Sequence, residues 1–140
     1  SGNGMIAAVF DRLPYLTGDA KWLERAQKTL AAFSGELDRN VFPLSTLLNA
    51  NDLLRNAVQI VIAGKPGASD TNALRRAVMD VCLPNRIMTV IETGDNLQPS
   101  HPAHGKGPVN DAAAAYVCEG MICSPPLTDP DSLRTDLATR

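Results

Sequence analysis

The chain has 140 residues, 44% of them apolar and 20% charged, enough for one hydrophobic core and too little for a second full domain. Its 13 basic and 15 acidic residues leave a net charge of -2, without the basic footprint that a phosphate backbone demands, so nucleic acid is not an expected partner. No apolar run approaches the roughly 20 residues that span a bilayer, the opening Ser1-Gly2-Asn3-Gly4 lacks the basic segment of a signal peptide, and three cysteines are too few for a secreted disulfide scaffold. The expectation is a cytoplasmic chain with reduced thiols and no membrane association.

From Met5 to Leu16 the apolar residues Met5, Ile6, Val9, Phe10, Leu13 and Leu16 recur at helical spacing, and Thr17-Gly18 supplies a stop. Pro14 removes one internal hydrogen bond from the last turn. Asp19 is placed to cap a second helix whose buried stripe is Trp22, Leu23, Ala26, Leu30, Phe33 and Leu37, and the short connection makes an antiparallel hairpin. Pro43 suits the first turn of a third helix with Leu44, Leu47, Leu48 and Leu54 on one face.

The period changes at Val58. Val58 to Gly64 is short, β-branched and closed by glycine, which predicts a buried strand. Ser69 or Asp70 then caps a helix through Leu74, Ala77, Val78 and Val81, ahead of a second strand over 86–91. Together they form a βαβ unit with parallel strands and a right-handed crossover. Glu92 to Asn110 is a loop, Ala113 to Cys118 a third strand, and a short helix starts near Asp129-Pro130-Asp131. The fold class is α+β, helical over 1–57 and a small α/β unit over 58–140.

Gly120-Met121 as a type II′ turn pairs Glu119 with Ile122 and sets Cys118 opposite Cys123, in the closely spaced pair of an antiparallel ladder. The thiols could then touch. The four-residue gap is not the two-residue spacing of thioredoxin-like motifs, so two half-buried structural thiols are favoured over a working redox pair. His101, His104, Cys118 and Cys123 have the composition of a zinc site without the spacing of a common finger, and no metal or cofactor is expected. Gly64-Lys65-Pro66-Gly67 lies where a phosphate loop would, but it lacks that motif and reads as the turn any βαβ crossover needs. Lys106, between two glycines, reads as a solvated cation. Ser1, Asn3, Asp11 and Asp52 have no histidine or second carboxylate placed to complete a catalytic set and read as caps and surface.

Several of these stretches fall in one order: Ser1-Gly2-Asn3-Gly4, Leu16-Thr17-Gly18-Asp19, Val58 to Gly64, Cys82-Leu83-Pro84-Asn85, Gly105-Lys106-Gly107-Pro108-Val109, Ala115-Tyr116-Val117-Cys118, Cys123 with Pro125-Pro126, and Thr128-Asp129-Pro130. In that order they resemble the C-terminal region of the thioredoxin-domain-containing protein family, relatives of the spermatogenesis-associated thioredoxin-like protein. In that family an N-terminal thioredoxin-like domain precedes a six-hairpin (α/α) toroid similar to glycosidases and to N-acylglucosamine 2-epimerase. Pro14 and the loop Thr93 to His104 depart from the family's pattern. The resemblance implies that 1–57 ends a toroid and 58–140 is an α/β appendage. It also implies a parent acting on or binding a sugar-like ligand, with Ser1, Asn3 and Lys106 at the rim of its cavity. The segment itself is then not catalytic, its first partner is the remainder of the parent chain, and the helical face left exposed is open to self-association. The competing expectations are a structural or docking module that closes the toroid, and a redox element using Cys118 and Cys123.

Overall fold

The computed structural model describes residues 2–37 and 44–140, so Pro43 and the rim candidate Ser1 lie outside the described residues. The fold is α+β. The chain divides into two compact units, Ser1–Ala57 and Val58–Arg140.

The first unit is helical: α1 (Gly2–Thr17), α2 (Lys21–Ala31), α3 (Ser34–Leu37) and α4 (Ser45–Asn56). Helix α1 accommodates Pro14 and stops at Gly18, whose φ of 72° is the left-handed cap conformation glycine adopts without strain, and whose N–H donates to Pro14 O at 2.9 Å. The Asp19 carboxylate accepts from Lys21 N–H at 3.0 Å, one step ahead of the cap position, and opens α2. Helix α2 is shorter than its apolar stripe predicts. The Phe33 N–H turns to Leu30 O at 3.1 Å and the Ser34 hydroxyl donates to Ala31 O at 2.9 Å, so the helix tightens, ends and restarts.

The buried face of α1 is Gly4, Ala7 and Asp11. Small residues let α1 and α4 approach closely, and a Cβ on Gly4 would lie 2.5 Å from the Thr46 carbonyl carbon and 2.7 Å from Leu47 N. Ala7, Leu30, Leu47 and Ala50 form the core there, with Phe33, Leu44 and Leu54 packed against it. About half a turn round the same helix lie Met5, Ile6, Val9 and Leu16, exposed by 63%, 50%, 53% and 49%. Helix α1 therefore carries apolar residues on two opposite sides, and the side with Met5, Ile6, Val9 and Leu16 stands exposed.

The second unit holds β1 (Val58–Ala63), α5 (Ser69–Met79), β2 (Arg86–Ile91), β3 (Ala114–Glu119), β4 (Ile122–Cys123) and α6 (Pro130–Ala138). The sheet order is β2-β1-β3-β4, with β1 parallel to β2 and antiparallel to β3. A central strand covered on both faces favours apolar side chains, and every residue of β1 is buried, the polar Gln59 included. Val58, Ile60 and Ile62 join Ala115 and Val117 beneath Leu74, Ala77 and Val78 of α5 and Leu133 and Leu137 of α6. Gln59, Val61 and Ala63 alternate to the other face.

Helix α5 ends at Met79, short of the expected Val81, because the Arg86 guanidinium donates to Val78 O and Val81 O at 3.2 and 3.1 Å and takes up carbonyls at the helix end. Helix α6 begins as its Asp-Pro-Asp sequence predicts. The Asp129 carboxylate accepts from Ser132 N–H at 2.7 Å, and Pro130 fills the first turn, where no donor is missed.

Candidate functional site

The hairpin between β3 and β4 carries the thiol chemistry. Gly120 has a φ of 58° and Met121 is not at positive φ, the pattern of a type II′ turn, and the ladder pairs Glu119 with Ile122 and Cys118 with Cys123. The Ser124 N–H donates to Val117 O at 2.8 Å, so the cysteines sit in the non-hydrogen-bonded position between two bonded pairs, with their Cα atoms 4.0 Å apart. Their sulfurs are bonded to each other, which replaces the expectation of reduced thiols at this pair, whereas Cys82 is free and exposed. Cys118 is buried at 2% exposure and Cys123 is exposed. Met121 and Ile122 at the tip are exposed by 99% and 80%.

Directly opposite Cys118 on the neighbouring strand stands Gln59. It is 3% exposed, and its Nε2 has no hydrogen-bond partner. The reading of Val58 to Gly64 as a buried strand passed over it. The available signal was a lone carboxamide inside an otherwise apolar run.

Residues 92–110 form a compact loop closed on Gly94, whose N–H donates to Lys106 O at 2.6 Å and where a Cβ would lie 2.0 Å from Ala103 O. Inside it Ala103 N–H donates to His101 Nδ1 at 3.0 Å, and His104 Nδ1 faces Leu97 O at 2.8 Å. Lys106 is only partly solvated. Its ammonium donates to Pro102 O, lies 6.0 Å from the Tyr116 ring centroid and is half-buried, and burial lowers its pKa. The Tyr116 hydroxyl donates to Gly107 O at 2.8 Å, fastening the loop to β3. The loop ends in a two-residue turn, Asn110-Asp111, with φ of 51° and 62° between reciprocal Val109 and Ala112 bonds, which the lack of a glycine conceals in the sequence.

The zinc reading finds its sulfurs joined to each other and the Nδ1 atoms of both histidines facing backbone groups, and no group of metal-ligating side chains forms among the described residues. At the Gly64 turn a Cβ would lie 2.5 Å from Thr71 Oγ1 and 2.7 Å from Ala113 Cβ, so the glycine serves close packing. The N-terminus of α5 is supplied with an anion by its own chain. Neither Ser69 nor Asp70 is the cap residue, which is Ala68; instead the Asp70 carboxylate accepts from Ala113 N–H at 2.9 Å and Thr71 N–H at 2.8 Å, and these bonds lower its pKa.

Of the remaining candidates, Asn3 is exposed in the first turn of α1, and the exposed Asp52 accepts from Asn56 Nδ2 at 2.7 Å. Asp11 is not at the surface. It is 2% exposed, both carboxylate oxygens lack hydrogen-bond partners, and burial raises its pKa from 3.8 to about 6 against the opposing pull of Arg12. It lies on the small-residue side of α1 with Gly4 and Ala7, a side with no large apolar residue to mark it as the inner one. Tyr15, one turn on, is pushed up by burial and then by the Asp11 charge.

No helix among the described residues is long and apolar enough to cross a membrane. Over 142 residues the chain is 34% identical to spermatogenesis-associated protein 20 of Homo sapiens and of Rattus norvegicus, and 32% identical to that of Mus musculus. These alignments take in 96% of this chain and 18% of each relative, so the chain spans about a fifth of the length of the curated relatives it matches. No family model matches the chain. No solved structure matches it.

Proposed function

We propose that this chain is the C-terminal segment of a larger thioredoxin-domain and (α/α) toroid protein, and that it works as a structural module that docks on the remainder of that protein and closes the toroid. The observation that carries this reading is the second apolar side of α1, where Met5, Ile6, Val9 and Leu16 stand exposed opposite a side already buried. An exposed apolar stripe of this kind marks a surface for association. The occupant of the exposed stripe is the rest of the parent chain, since relatives of this chain are more than five times longer than the part it matches. On this reading action on a sugar-like ligand is a property of the whole toroid, which the segment does not perform by itself.

The test is a pair of charge substitutions, Ile6→Lys and Val9→Asp, made both in the full-length parent and in this chain. The full-length protein should lose stability and become protease-sensitive at the joint, whereas the isolated chain should melt at an unchanged or slightly higher temperature and associate less. Equal, small effects in both settings would overturn the docking role.

A further inference from the structure

Gln59, Cys118 and Cys123 stand in one row across β1, β3 and β4, each the register partner of the next. Residues directly opposite in antiparallel pairs project to the same face, with Cβ atoms about 4.5–5.5 Å apart, within reach of a glutamine side chain. The Gln59 Nε2 is buried with no acceptor, although leaving such a donor unpaired is costly. The row also has a buried end and an open end. Cys118 is 2% exposed, whereas Cys123 and its turn neighbours Met121 and Ile122 are exposed.

We propose that Cys118–Cys123 is a thiol–disulfide exchange site for dithiols, with Gln59 as the positioning residue whose carboxamide receives the Cys118 thiolate. A thiolate of the incoming dithiol attacks Cys123 Sγ, the accessible sulfur. The Cys118–Cys123 bond breaks, its electron pair leaves on Cys118 Sγ, and a mixed disulfide forms at Cys123. The second thiol of the dithiol, once deprotonated, attacks its own sulfur in that mixed disulfide and releases Cys123 as a thiolate. Two electrons pass to the chain, the dithiol becomes a disulfide, and the two cysteine thiolates take the two protons the dithiol gave up.

Burial by itself disfavours a thiolate at Cys118 and so opposes its departure. A donor already desolvated and without another partner offsets that cost, because it gives up no bond to water when the thiolate appears. The ladder makes the step reversible. With Glu119–Ile122 paired on one side and the Ser124 N–H bonded to Val117 O on the other, the reduced sulfurs stay opposed and re-close without strand movement.

The experiment uses the whole chain with Cys82→Ser, which removes the free exposed thiol. Brief exposure to glutathione followed by alkylation and mass spectrometry locates the mixed disulfide, and equilibration in reduced and oxidised dithiothreitol gives the reduction constant, with circular dichroism reporting the fold. The expected results are an adduct on Cys123 with Cys118 free, full reversibility in the folded chain, and a reduction constant, measured at alkaline pH where the reduced Cys118 is a thiolate, lowered roughly tenfold by Gln59→Leu, the size of one hydrogen bond to a charged group. In the reduced protein the same substitution should raise the pH at which thiolate absorbance appears by about one unit. An adduct on Cys118, a pair that yields to dithiothreitol only on unfolding, or equal constants for Gln59 and Leu in folded chains would overturn the proposal. If Gln59→Leu does not fold, adduct position and reversibility in the Cys82→Ser chain decide it.

Discussion

The Ala113 backbone N–H donates to the Asp70 carboxylate at 2.9 Å, joining residues 43 positions apart in the chain. The second oxygen accepts from Thr71 N–H, so one side chain holds the first turn of α5 to the entrance of β3. Asp70→Ala should lower the melting temperature by several degrees and speed hydrogen exchange at the Ala113 amide, with Asp70→Asn, which keeps one acceptor oxygen, falling between. The pKa of Asp70 is held below 3.8 first by the Ala113 bond and then by the Thr71 bond. Its contribution is therefore present above pH 3.8 and lost as the pH falls through the lowered native value. Melting curves between pH 2 and 6 check this: Asp70→Ala should flatten the acid limb, and a limb identical to that of the unsubstituted chain would remove Asp70 from the account.

Asp11 gives the opposite sign. Its folded pKa of about 6 lies above the ordinary 3.8, so the fold keeps a proton that the unfolded chain gives up. Stability falls as pH rises from about 4 to about 6 and is level beyond, a loss of about 3 kcal/mol at 1.36 kcal/mol per pK unit. Asp11→Asn, nearly isosteric and uncharged, should abolish that slope and stabilise the helical unit at pH 7 by a similar order. Urea titrations at pH 4.5 and 7 measure it directly. A substitution that destabilises equally at both pH values would mean that the carboxylate has a partner.

These two carboxylates show where reading the chain works and where it stops. Strand β1 is legible because a buried central strand favours apolar, mostly β-branched side chains, here five of six with Gln59 the exception, and Asp129-Pro130 announces α6 because capping chemistry is local. The opposition of Cys118 and Cys123 follows from turn geometry within six residues. Asp70 is placed at the helix start but its bond to Ala113 is not legible because that partner is distant in sequence, and the burial of Asp11 is not legible either, because the inner side of α1 is marked by Gly4 and Ala7. Met5, Ile6 and Val9, which dominate the apolar pattern, stand on the outer side. Periodicity locates a helix reliably, but which side faces inward depends on what the neighbouring helix can accept.

The closeness of α1 and α4 makes that last point testable. At Gly4 an added Cβ would meet Thr46 Oγ1 and the backbone of Thr46 and Leu47, none of it farther than 2.7 Å, so α1 would have to move off α4. Overpacking of this kind costs about 1–3 kcal/mol, more than the ~1 kcal/mol that alanine gains over glycine in a helix. Gly4→Ala should therefore destabilise the helical unit by up to about 2 kcal/mol in spite of its better helix propensity. Gly2→Ala is the control, since a Cβ there meets nothing within 4 Å, and it should leave stability unchanged or slightly raised. Thermal and urea melts of the two variants side by side separate the effects. If Gly4→Ala matches Gly2→Ala, the close approach of the two helices is not what glycine provides at position 4.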